Sequence, residues 1–142
     1  MQPISISMNI PDRNLEKTPI ERAITALAAS VATHRQDLTD LTQGPSLDIT
    51  FCLAYNGDKP EFDGMRMGGF SPEGNTLYFE AAIPERFNQS HQAREYVAAV
   101  MEDVITNAYD YFSDQQVEFD AGLWKNALTP IMAKANNIAL PL

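Results

Sequence analysis

The sequence predicts an α+β domain over residues 1–142, with helices packed on an antiparallel meander sheet of three to four strands in the order βαβββαα. Three observations carry this. Leu47, Ile49, Phe51, Leu53 and Tyr55 alternate with Asp48, Thr50, Cys52, Ala54 and Asn56, the period-two pattern of a strand with one buried face. Leu77, Phe79, Ala81 and Ile83 alternate with Thr76, Tyr78, Glu80 and Ala82 in the same way. Before residue 47 and after residue 84 the apolar residues fall mainly at helical spacing instead,.

The central strands come first. Asn56-Gly57-Asp58-Lys59-Pro60 supplies turn residues after the first of them,. Ser71 to Asn75, with Pro72 and Gly74, reads as a hairpin loop,. Closing that loop with Phe70 opposite Thr76 sets Met67 against Phe79, Met65 against Ala81 and Arg66 against Glu80. The apolar pairs then share one face and the charged pair takes the other, as a consistent register requires. Gly64, Gly68 and Gly69 fall in the middle strand of this meander and mark a bulge or a close backbone approach.

At the N-terminal end, Ile4, Ile6, Met8 and Ile10 alternate with Ser5, Ser7 and Asn9, which predicts a further strand at a sheet edge. Thr18-Pro19-Ile20-Glu21 starts a helix, with Thr18 as N-cap, Pro19 at the first helical position and Glu21 completing a capping box. Ile20, Ile24, Leu27 and Val31 continue it, Leu38 extends the stripe, and Gly44-Pro45 stops it,. The longest helix begins at Asn88 or Ser90 and runs to about Ser113. Val97, Val100, Met101, Val104, Ile105, Ala108 and Phe112 form its apolar arc, and Glu95, Glu102, Asp103, Asp110 and Asp114 gather opposite,. Val117 to Met132 suggests one more helix, with Pro130 breaking it near Thr129 or Thr129 capping a restart. Ala139 to Leu142 reads as an irregular strap.

Composition narrows the function classes. Of 142 residues 44% are apolar and 20% charged, the profile of a globular domain. No apolar run approaches the ~18 residues of a membrane span. The start of the chain shows no signal-peptide pattern, and its single cysteine fits a reducing compartment, so a cytoplasmic location is expected. The net charge is −9, from 19 acids and 10 bases. Only five of the acids and four of the bases precede Leu47, so the excess lies in the remainder. No basic cluster exists to meet nucleic acid.

No stretch forms a catalytic, metal or phosphate motif. Cys52 lies on the Asp48/Thr50 side of its strand with no base placed beside it by the sequence, and reads as a small filler. His34 and His91 lack metal-ligand spacing. Glu102 and Asp103 are adjacent and point about 100° apart on a helix, as on a solvated helix face. The string from Gly64 to Phe70, GMRMGGF, lacks the ending and context of a phosphate loop; Arg66 is matched by Glu80. Neither a cofactor nor a metal is expected, and no catalytic residue is assigned.

Asp58, Glu61 and Asp63 crowd the loop after the first central strand, and loops carry binding more often than regular elements do. With the acidic helix, they suit a basic protein partner approached through electrostatic complementarity. The strands of residues 47–84 with their GMRMGGF string, followed by the acidic helix, resemble the immunity proteins of bacterial polymorphic-toxin and contact-dependent inhibition systems. The resemblance implies a cognate toxin whose active site is blocked or covered. The partner-binding residues expected are Asp58, Glu61, Asp63, Glu102, Asp103 and Asp110, with no nucleic-acid or membrane partner. Two other readings stand beside this one. If the apolar arc of the long helix, flanked by Tyr96, Tyr109 and Tyr111, exceeds what a sheet covers, the chain is a homodimeric adaptor. If Arg66, Glu80, Tyr78 and Cys52 line a pocket on the outer sheet face, it is an enzyme.

Overall fold

Helix α1 (Pro19–Thr33) lies between two parallel neighbours, strands β1 (Ile4–Asn9) and β2 (Ser46–Cys52), in a computed structural model that describes residues 3–9, 19–34, 38, 44–52, 55–56, 59–60, 64–83 and 90–139. Parallel pairing needs a crossover connection, and α1 lies within it. Tyr55–Asn56 (β3) and Lys59–Pro60 (β4) pair as a two-residue antiparallel ladder, so Asn56, Lys59 and Pro60 of the expected turn are strand residues and two short strands join the predicted order. Then come the hairpin strands β5 (Met65–Ser71) and β6 (Thr76–Ala82), and the helices α2 (Ser90–Asp114) and α3 (Ala121–Ala139).

The fold class is α+β, but the sheet is not the antiparallel meander that strand order suggested. Its four strands run β1-β2-β6-β5. β1 is parallel to β2, β2 is parallel to β6, and only β5 with β6 is antiparallel. The glycine-bearing strand, expected in the middle, is the edge. The reason is burial. β6 carries Leu77, Phe79 and Ala81, all buried, whereas β5 is largely exposed. A central strand must bury side chains between two neighbours, and an edge strand tolerates glycine. A hairpin signal says that two strands pair; it does not say which of them faces the rest of the sheet.

Within the hairpin the expected pairs Met65–Ala81, Arg66–Glu80 and Met67–Phe79 are all present. A bulge between Met67 and Gly69 then shifts the register, so Phe70 sits opposite Leu77, not Thr76, and Ser71 closes the turn against Thr76. Gly69 has φ +140° and Gly64 φ +71°, conformations that L side chains rarely adopt. The Tyr96 hydroxyl of α2 donates to the carbonyls of Ala82 (2.6 Å) and Gly64 (3.3 Å), tying the helix to both hairpin strands.

Ile4, Leu47, Ile49, Phe51, Leu77, Phe79 and Ala81 bury one sheet face in a core shared with the three helices. Ile20, Ile24, Leu27 and Val31 of α1 enter it as the stripe predicts, and so does Leu38. The helix itself stops at Thr33, short of the Gly44-Pro45 stop. α3 is continuous through Pro130, so neither the break nor the restart occurs. Pro130 and Asn126 are both exposed, so the carbonyl that loses its usual amide partner to the proline belongs to a residue open to water. An aromatic chain, Phe70–Phe112–Phe119–Trp124, with successive ring centroids 5.5–5.9 Å apart, joins β5 to the ends of α2 and α3.

Candidate functional site

α2 is buried along one side and open along the other. Every residue of the predicted apolar arc is buried within the chain, at 2% exposure or less, while Tyr109 beside it is exposed. On the open side, residues seven apart return to nearly the same line of a helix. Glu95, Glu102 and Tyr109 form one such line, and Asp103 and Asp110, with Asp114 a turn on, form a second; all six are exposed. The acids extend over about 28 Å of helix. Among the described residues none of these five carboxylates is in an ion pair.

Glu102, Asp103 and Asp110 thus share one surface, as the sequence suggested. Asp58, Glu61 and Asp63 lie outside the described residues. Tyr109, 49% exposed, is not among the expected partner-binding residues. It lines a depression of about 240 Å³ together with Val117 and Phe119, and its seven-residue spacing from Glu102 was the available signal. Past α2, Asp120 is already engaged: its carboxylate accepts the Leu123 amide at 3.0 Å and caps α3,.

A second feature lies between α2 and α3. Ala98, Met101, Glu102 and Ile105 on α2 face Lys125, Leu128, Thr129, Met132, Ala133 and Asn136 on α3 across a groove of about 450 Å³, within the range of binding clefts. Both sets follow the i, i+3, i+4, i+7 stripe of a packing helix. Either stripe is visible in the sequence, but that the two helices stand apart on this side is not.

The outer sheet face carries the residues of the enzyme reading. Arg66 and Glu80 form an exposed ion pair at 3.3 Å, worth at most about 1 kcal/mol. The Ser7 and Thr50 hydroxyls are 3.3 Å apart on the neighbouring strands. Cys52 is half-buried two residues further along β2, and the ring of His34, one residue past α1, is bonded back to the Ser30 carbonyl. Burial pushes the Asp48 carboxyl above its ordinary value of 3.8, opposed by a hydrogen bond from the Thr50 hydroxyl. Among the described residues no cluster of three or more His, Cys, Asp or Glu side chains could hold a metal ion, and no helix is long and apolar enough to cross a membrane.

Comparison with known protein families, with curated proteins and with solved structures finds no match to this chain.

Proposed function

We propose that this protein acts by binding: the acidic open side of α2 covers a basic surface of a partner protein, in the manner of an immunity protein neutralising a cognate toxin. What carries the reading is where the acids stand. Asp110 and Asp114 are four residues apart, a spacing at which like charges destabilise a helix by a few tenths of a kcal/mol. They also occupy the C-terminal part of α2, where the helix dipole disfavours anions, and no base lies in its last turn. The helix gains nothing from this arrangement, and a cationic partner would relieve it. Side chains that break local rules without an internal return are those expected at functional sites. Tyr109 supplies an apolar anchor of the kind that dominates protein interfaces, and the acids supply steering and specificity.

The test is co-expression of the tagged chain with the product of the adjacent gene, followed by sizing of the purified material. A stoichiometric complex, together with protection of cells from that product, supports the reading. A lone dimer without a partner would transfer the function to self-association.

A further inference from the structure

Two valleys lie between α2 and α3, and described residues fill only one of them. On the inner side α1 inserts Ala23 and Leu27 against Val97 and Met132, leaving a gap of about 10 Å³. On the outer side the same two helices leave about 450 Å³ open. The outer valley is the side of the α2–α3 pair whose lining includes no residue of α1.

Its lining suits a helical guest. Met101, Ile105 and Leu128 are buried and form an apolar floor, while Ala98 and Ala133 are exposed, short residues on its margins. Short side chains allow a helix axis to approach within the 8–10 Å of close packing. Met101 and Met132 adapt to an incoming surface. The groove spans residues 98–105 of α2 and 125–136 of α3, about 11 and 17 Å, the length of two to three helical turns. Its margins are charged differently: Glu102, with Glu95 in line above it, borders the α2 side, and Lys125 the α3 side.

We propose that the outer α2–α3 groove seats a single amphipathic helix of the partner, its apolar seam on Met101, Ile105 and Leu128 and a Lys/Arg flank against Glu95 and Glu102. This rests on the reading that a basic protein is bound, and it names the element of that protein which enters.

The probe is a labelled synthetic peptide of about 18 residues, with Leu and Ala at helical-seam spacing and Lys along one flank. It is compared with the same peptide carrying Glu for each Lys. Fluorescence anisotropy is read on the wild type and on Ala98→Trp and Ala133→Trp, two variants that fill the groove from opposite walls at exposed positions. The expected result is binding of the Lys peptide, weakened at least ~10-fold by either tryptophan and by the Glu flank, with circular dichroism unchanged. Equal binding of the two peptides, equal binding by the filled variants, or a dimer of the chain that Ala133→Trp dissolves would each overturn the proposal. Asp103→Lys with Asp110→Lys, on the far line of α2, separates it from the functional reading. If that double variant slows a basic protein partner and the tryptophans do not, only the groove fails. If the peptide enters the groove but no basic partner depends on the acids, only the functional reading fails.

Discussion

At the residue scale, two positions make opposite demands. Asp48 has its carboxyl raised by burial beside β1 and β6. A carboxyl that holds its proton more tightly when folded favours the native state fully below the unfolded value of 3.8, and that contribution is lost as pH rises through the raised folded value,. Asp48→Asn should therefore match the wild type in urea unfolding at about pH 3 and exceed it at about pH 7. The sequence placed Asp48 on the open face by alternation alone; its partial burial depends on which strands flank β2, and alternation is silent on that. Gly68 and Gly69 form a sharper pair. A Cβ on Gly68 would meet the Tyr78 carbonyl at 3.5 Å, an ordinary contact, whereas Gly69 has open space but φ +140°. Gly69→Ala should cost about 1–3 kcal/mol in chemical denaturation through backbone strain alone, and Gly68→Ala much less. Equal losses would show that the bulge is not placed as described. The bulge itself was legible from the clustered glycines.

At the scale of elements, α2 ends in a paired motif: the Val117 amide donates to Phe112 at 2.8 Å and the Gln116 amide to Ser113 at 3.1 Å, with Gln116 at φ +59°. This is the Schellman arrangement, which glycine fits better than any residue with a side chain. Gln116→Gly should raise the stability by about 1 kcal/mol, read as a higher urea midpoint at unchanged slope; a loss of stability would contradict the assigned helix end. The absence of glycine there is why the end of the helix is legible only approximately, near Ser113. Elements with a strong period, β2, β6, α1 and α2, were legible in kind. α3 was obscured by Pro130, because a helix interior tolerates proline when the freed carbonyl faces water, and that orientation is a tertiary fact. The order of strands in the sheet was the largest departure: pairing of neighbours in sequence is the usual outcome, and it holds for β5 with β6 but not for β2 with β5.

At the scale of the whole molecule, α1 and α2 lie against the sheet, α3 packs on both of them, and α2 turns an acidic side outward, next to a groove that no described residue fills. The acids were legible from helical spacing, and their company with Tyr109 and the groove was not, since both depend on how α2 meets α3 and the connector between them. The central claim is that the outward carboxylates of α2 draw in a basic protein. It is tested most directly by the association rate of that partner with the wild type and with Asp103→Lys/Asp110→Lys, measured by stopped flow at about 20 mM and about 500 mM salt. The reversal should slow association at least ~10-fold at low salt, and the two rates should converge at high salt, where exposed charges are screened. Equal rates at low salt would contradict the claim and leave the acidic side of α2 as a solvated surface.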